Sequence, residues 1–122
     1  MNRRNSLISM GSLKHDRVRN RKGEDIGKIE EFMIDIQSGK IEYAVLSFGG
    51  FLGMGNKLFA IPWKALGLYE DEKTFLMDVD KELLERSPGF SRNDWPDFAD
   101  HSFLDHIDRY YGRNVSSDLY TQ

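Results

Sequence analysis

Four groups of residues in this chain have side chains and spacings that chemistry could use. In turn they could wrap a phosphate, ligate a metal ion, exchange protons with a substrate, or bind the phosphates of a nucleic acid. The four groups are the stretch GGFLGMG (49–55), His101 with His106, Asp35 with Asp78 and Asp80, and the cations Arg17, Arg19, Arg21 and Lys22.

The glycine-rich stretch joins two apolar runs that read as strands, and that context excludes a phosphate loop. It lacks the Lys-Ser/Thr pair of a Walker sequence, and no helix follows whose N-terminus could hold the anion. Instead it carries large apolar side chains at the tip of a predicted hairpin. In a soluble domain such side chains are usually covered by a partner or by another part of the protein. We therefore predict that the tip contacts a protein partner or a second copy of the chain, through Phe48, Gly49, Gly50, Phe51, Leu52 and Met54.

The two histidines are spaced unfavourably for a metal site. His101 and His106 are five residues apart, and on a helix that step turns the two side chains away from each other. Ligand pairs on helices are three or four residues apart. We interpret the surrounding aspartates as a solvated acidic face and predict no metal site.

The three aspartates stand at the ends of predicted strands, where this residue type commonly accepts backbone N–H groups. Acid–base chemistry would instead need two carboxyl groups with separated pKa values in one cleft. The serines lie in tails and turns without the context of a nucleophile. The sequence therefore predicts a protein that is not an enzyme and uses no cofactor.

The cations around residue 20 are the basis of an alternative, an RNA-binding segment. Arg17, Arg19, Arg21 and Lys22 are dense locally, but acidic residues follow at once and would cancel much of their field. No aromatic residue is interleaved to stack on a base. RNA binding is thus disfavoured and is kept as the alternative.

The length and composition of the chain indicate one mildly acidic domain. The 122 residues include 17 basic and 20 acidic ones, a formal net charge of −3, which does not favour broad nucleic-acid binding. The chain has no cysteine, so disulfides and thiolate ligands are excluded, and we expect a cytoplasmic location. No apolar run approaches the roughly 20 residues of a membrane helix, and we expect no membrane span.

Alternating apolar residues and turn residues predict a mainly β protein. Ile29 is out of phase with Phe32, Ile34 and Ile36, which share one face of a strand, and a β-bulge near Glu30–Glu31 would return Ile29 to that inner face. The predicted strands span 16–20, 28–36, 40–50 and 57–62, followed by a helical turn at 63–66 and a hairpin over 67–80.

After Asp80 the pattern becomes helical. Asp80 can cap a helix over 81–86, and apolar residues at helical spacing predict a second helix over 101–112 that ends at Gly112. The segment between these helices is irregular. We expect Phe90, Trp95 and Phe98 to lie back on the β-structure, and the two tryptophans, Trp63 and Trp95, to pack in the core at its end.

Three stretches resemble a known family when taken in order. They are GEDIGKIEEFMIDIQSGKIEYAVLSFGG (23–50), KLFAIPWKAL (57–66) and FLMDVDKELLERSPGF (75–90). Together they resemble the PRC-barrel domain, which is named for the photosynthetic reaction centre H subunit and also occurs in a ribosome maturation factor. The continuation NDWPDFAD (93–100) is similar to small stand-alone bacterial members.

The resemblance implies a small, highly bent antiparallel β-barrel with short C-terminal helices, acting as an adaptor that contacts protein partners. The expected layout is a flexible arm at 1–13, a PRC-barrel-like domain at 14–112 with a helical extension at 81–112, and a tail at 113–122. The function we expect is a non-enzymatic interaction module that forms a homodimer. The alternative is an RNA- or ribosome-associated processing factor that uses residues 17–22.

Overall fold

Six strands, two of them ten or more residues long, and three helices form the regular structure of the residues that the structure describes. The structure is a computed structural model, and it describes residues 7–49, 56–69 and 74–114. The elements are α1 (Met10–Leu13), β1 (Arg17–Arg19), β2 (Asp25–Asp35), β3 (Lys40–Gly49), β4 (Asn56–Pro62), a 3-10 turn (Trp63–Ala65), β5 (Gly67–Tyr69), β6 (Thr74–Leu76), α2 (Lys81–Glu85) and α3 (His101–Asn114).

The strands form one sheet in the order β4-β3-β2-β1-β6-β5. The prediction of a mainly β fold is confirmed, but that of a closed, wholly antiparallel barrel is wrong. Strands β1 and β6 run parallel, and β4 and β5 end the sheet without pairing to each other in the described ranges. At the β4 edge, Leu58 instead pairs with Phe90, with N···O distances of 2.9 and 2.8 Å in the two directions. The C-terminal segment thus occupies part of the edge that closure would need.

The predicted bulge in β2 is confirmed, and a second irregularity was not predicted. Ile29 pairs with Leu46 and Glu31 pairs with Val45, so Glu30 is the extra residue and Ile29 is fully buried. The register shifts again between Met33 and Ile34.

One expectation about the inner face of β2 is wrong. Ile34 and Ile36 were predicted to share the inner face with Phe32, and only Phe32 is buried there. Ile34 is 47% exposed and Ile36 is 90% exposed. Both residues lie where β2 ends. Ile34 is the second-last residue of β2, beside the point at which Glu42 is the extra residue in β3, and Ile36 lies in the turn that follows β2.

Strand β3 and its neighbour β4 are buried on both faces. Their regular register places Ala44 and Leu46 beside Phe59 and Ile61, on the inner face that joins the core. The opposite side chains are also buried, and we call them the outer face: Tyr43, Val45, Ser47, Leu58 and Ala60. A strand buried on both sides needs a layer of chain over each face.

The layer near the outer face comes from the C-terminal segment. The ring of Phe98 lies 6.2 Å from that of Tyr43, and a row of ring contacts continues from it to Phe103 and, through Trp95, to Phe90. Trp95 is 40% exposed, so its predicted place in the core is wrong.

Trp63 does contact core rings, as predicted. Its ring lies 5.8 Å from Phe32 and 6.0 Å from Phe75, with edge-on geometry in both cases. This geometry is the one that aromatic pairs favour.

The helix boundaries differ from the sequence prediction at three places. Residues Met10–Leu13, within the predicted arm, form a helical turn whose Leu13 belongs to the core. Asp80 occupies the N-cap of α2, but its carboxylate makes no capping bond and instead pairs with Lys22 at 3.3 Å. Helix α3 continues past Gly112 to Asn114.

Gly27 is a position at which only glycine fits. Its φ is +133°, and an added Cβ would lie 2.3 Å from the carbonyl oxygen of Ser47. Gly27→Ala should therefore reduce the free energy of unfolding by about 3 kcal/mol or more, because backbone strain and overpacking each cost about 1–3 kcal/mol. Urea denaturation followed by circular dichroism measures this loss.

Gly112→Ala is the matched control, because Gly112 is helical and nothing lies within 4 Å of an added Cβ. We expect that variant to be as stable as the wild type or more so, by up to about 1 kcal/mol. Equal stabilities for the two variants would contradict the packing described around Gly27.

Candidate functional site

The predicted contact tip has a firmly held base. Gly49 pairs with Asn56, so β3 and β4 remain paired up to the six-residue connection between them. The side chain of Phe48 is buried at 7% exposure, 6.3 Å from the ring of Phe59. Phe48 therefore anchors the hairpin from inside the domain. The other predicted contact residues, Gly50, Phe51, Leu52 and Met54, lie outside the described residues.

The predicted basic segment is largely paired with carboxylates of its own chain. Arg17 binds Asp25, Arg21 binds Asp78 at 3.0 Å, and Lys22 binds Asp80 at 3.3 Å. The hydrogen bond and charge of Asp80 raise the pKa of Lys22 above its ordinary value. Arg19, the fourth cation, is exposed on β1. Paired charges of opposite sign leave a weak field for attracting phosphates.

The histidines and aspartates have places that suit structural roles. His101 and His106 are both exposed on α3, and no cluster of three or more metal-ligand side chains occurs in the described part of the chain. Asp35 accepts a hydrogen bond from the backbone N–H of Gln37 at 2.9 Å, and this bond together with the Ser38 side chain lowers its pKa. Asp78 and Asp80 hold the basic segment, as described above.

The bulged residue Glu30 makes a contact that the sequence did not suggest. Its side chain is only 12% exposed, and its carboxylate lies 3.4 Å from the guanidinium of Arg92. Burial raises the pKa of Glu30, but hydrogen bonds from Ser47 and Arg92 outweigh it and hold the pKa below its ordinary value. Glu30 therefore binds the C-terminal segment as a charged group.

Three tyrosine hydroxyls fasten α3 to the rest of the domain. Tyr43 donates to Asp108 at 2.9 Å, Tyr110 to the carbonyl of Leu83 at 2.6 Å, and Tyr111 to the hydroxyl of Ser87 at 2.9 Å. Burial is the main cause that raises the pKa of Tyr43 and Tyr111 well above the ordinary value, and the Asp108 carboxylate adds to it at Tyr43.

Sequence reasoning missed the outer face, although a signal for it was present. The run Tyr43–Ala44–Val45–Leu46 is apolar at every position, whereas a strand with one wet face alternates apolar and polar residues. Phe98, which contacts Tyr43 of this run, lies some fifty residues further on in a segment without periodicity, so spacing alone could not pair them.

A comparison with protein families identifies the family to which this β-sheet fold belongs. A family model described as the PRC-barrel domain matches residues 7–84, more than half of the 122-residue chain. The chain belongs to the PRC-barrel domain family. The resemblance seen in the sequence is thereby confirmed. No curated protein matches the chain.

The PRC-barrel match ends within α2, and the C-terminal segment begins after it. The match ends at residue 84, so the segment that contains Phe90, Arg92, Phe98 and α3 lies beyond it. Among the helices of the described ranges, none has the length and apolar character needed to cross a membrane.

Alkaline pH should destabilise this PRC-barrel protein through its buried tyrosines. An unfolded chain releases tyrosine protons near the ordinary pKa of 10.0, whereas folded Tyr43 and Tyr111 retain theirs to higher pH. Their contribution is therefore complete below pH 10.0 and decreases as pH rises above it. Urea midpoints measured from neutral to alkaline pH should fall beyond that point.

A Tyr43→Phe/Tyr111→Phe variant is the control for this pH dependence. It should be less stable at neutral pH, because two hydrogen bonds are lost, and its midpoint should fall less steeply in alkali than that of the wild type. Parallel curves for the two proteins would show that these tyrosines do not cause the alkaline loss.

Proposed function

We propose that this PRC-barrel protein is a non-enzymatic interaction module that self-associates as a homodimer through the 48–54 hairpin tip. The observation that carries the proposal is the base of that tip. The β3–β4 ladder continues to Gly49 and Asn56, and buried Phe48 fixes it to the core. A firmly held base reduces the entropy that a contact at the tip must overcome.

The sequence of the tip supports a macromolecular contact. Residues 50–55 contain three large apolar residues, Phe51, Leu52 and Met54, among small glycines that would let a partner backbone approach closely. Burying the three side chains would contribute on the order of 5 kcal/mol before the costs of association. An isologous dimer would bury two such tips at once.

The burial of β3 and β4 also favours the tip as the contact surface. Both faces of these strands are buried within the chain itself, and Phe90 holds part of the β4 edge. A partner that approaches this hairpin therefore meets the tip first.

The non-enzymatic part of the proposal rests on what the titratable side chains do. Asp35 stabilises a turn, Asp78 and Asp80 neutralise cations, and Asp108 accepts from Tyr43. Each of these four carboxylates thus has a structural role. PRC-barrel domains are generally non-catalytic modules, which agrees with this assignment.

The alternative, an RNA- or ribosome-associated factor acting through residues 17–22, has less support. Ion pairs engage Arg17, Arg21 and Lys22. RNA retention that weakens with salt and is lost in an Arg19→Glu/Arg21→Glu variant would favour this alternative over the tip.

A Phe51→Asp/Leu52→Asp variant should sediment as a monomer at concentrations at which the wild type sediments as a dimer. Charged side chains at the centre of an apolar contact are costly to desolvate, so we expect the dimer dissociation constant to rise by about 100-fold or more. Sedimentation velocity over a range of protein concentrations measures the change.

The control is Ile36→Asp, which places one aspartate on a 90% exposed apolar residue in the turn before β3, at the end of that strand opposite the tip. It should leave the wild-type mass unchanged. If the wild type and the tip variant sediment with equal mass at every concentration, the tip is not the interface and the proposal is wrong.

A further inference from the structure

The outer face of β3 and β4 contacts α3, whose Asp108 accepts from Tyr43, and also residues 88–98, which have no buried side chain of their own. Val45, Leu58 and Ala60 are fully buried, yet every residue from Pro88 to His106 is exposed or half-buried. The next buried residue is Ile107 in α3. The outer face is thus buried, whereas residues 88–98 beside it remain largely exposed to water.

Three contacts hold this covering segment, residues 88–98, against the sheet. Leu58 and Phe90 exchange two backbone hydrogen bonds, Arg92 pairs with Glu30, and Phe98 contacts Tyr43. They correspond to one strand bridge, one charge and one ring, the elements by which an extended peptide binds a sheet edge.

The close approach of the covering segment depends on one glycine. A Cβ at Gly89 would lie 3.0 Å from the carbonyl oxygen of Leu58, 3.0 Å from the ring of Phe59 and 2.6 Å from the side chain of Lys57. A larger residue would lift the segment away from the β4 edge.

We propose that the outer face is a second interaction surface, whose ligand is an extended peptide strand of a partner protein with the pattern glycine, aromatic, any residue, arginine. Residues 89–92 (Gly-Phe-Ser-Arg) occupy it as the chain's own competitor. The segment lies beyond the PRC-barrel match and interacts with that domain as a ligand would. This inference concerns a different surface from the 48–54 tip and does not require the chain to dimerise.

The physical basis is the unequal burial of the two partners. Residues 88–98 are already largely exposed, so displacing them exposes little additional apolar surface of their own. An incoming strand would bury the apolar outer face again, so the exchange costs little free energy. Contacts of a few residues with exposed surroundings open locally more often than the core does. A partner therefore competes with a local opening and not with global unfolding.

The test uses a release variant of the full chain, Gly89→Val/Arg92→Ala, which should lift the covering segment while leaving the sheet intact. The probe is a fluorescein-labelled synthetic peptide of residues 88–99 (PGFSRNDWPDFA). Fluorescence anisotropy should show that the probe binds the release variant at least about tenfold more tightly than it binds the wild type, whose own segment competes.

The matched control is Gly112→Val/Arg109→Ala, which makes the same two changes at exposed positions of α3, with nothing within 4 Å of an added Cβ at residue 112. It should bind the probe no better than the wild type. In the release variant, adding Glu30→Gln should weaken probe binding about tenfold, since the charge-assisted bond to the probe arginine is lost.

A folded release variant that does not bind the probe would overturn the proposal. The release variant could instead sediment at twice the monomer mass and remain a dimer after Phe51→Asp/Leu52→Asp is added. That result would show that the outer face binds a second copy of the chain, and the proposal of a partner strand would be wrong. If the wild type proves not to dimerise through the 48–54 tip, the expected results of the probe-binding experiment do not change. The two proposed surfaces are therefore tested separately.

If the release variant does not fold, hydrogen exchange of the wild type decides the question. The amides of Leu58 and Phe90, which bond each other across the bridge, should exchange about 100-fold or more faster than the amides of central strand β3. Exchange at the β3 rate would mean that the segment opens only with global unfolding, and the proposal would be wrong.

Discussion

The burial of β3 and β4 on both faces is the constraint on which the rest of this structure depends. A sheet of short strands with one apolar face can curl around its own core, but these two strands present apolar side chains on either side. Covering the second side removes further apolar area from water, at about 25 cal/mol per Å². The chain therefore needs a second layer, and the C-terminal segment supplies it.

This requirement accounts for features that would otherwise be unrelated. The extra residue in β2 brings the Glu30 carboxylate to a nearly buried position beside Ser47, where Arg92 reaches it. A buried charge is tolerated only when it is paired and hydrogen-bonded, so the bulge and the covering segment depend on each other. Gly27 allows the strand just before the bulge to pass close to the backbone of Ser47.

The carboxylates of Asp35, Asp78 and Asp108 hold a turn, a cation and a tyrosine hydroxyl. These structural roles are consistent with the function that we propose, an interaction module. The two surfaces that we propose to bind polypeptides are the hairpin tip, whose residues 50–55 are apolar or small in the sequence, and the sheet face next to residues 88–98.

Local patterns in the sequence predicted the strands and the first bulge, because alternation is a property of neighbouring residues. The phase of Ile29 against Phe32 was enough to place the extra residue. The second register shift, at which Glu42 is the extra residue in β3, has no such signal, and neither has the exposure of Ile34 near the end of β2.

Long-range partners could not be predicted from spacing. The parallel pairing of β1 with β6 joins residues more than fifty positions apart through three-residue strands. The contact of Arg92 with Glu30 is similar: each residue looks like an ordinary exposed charge until the fold brings them together. The contact at the hairpin tip stays a prediction from composition, because its side chains beyond Gly49 lie outside the described residues.

The most direct measurement of the central claim is the free energy of unfolding of Val45→Ala. Val45 lies on the outer face and is fully buried, as its neighbour Leu46 is on the inner face. If the C-terminal segment makes this face a second core, removing two methyl groups should cost about 2 kcal/mol. A loss of less than about 0.5 kcal/mol, the range of ordinary surface substitutions, would show that the face is wet and would contradict the account.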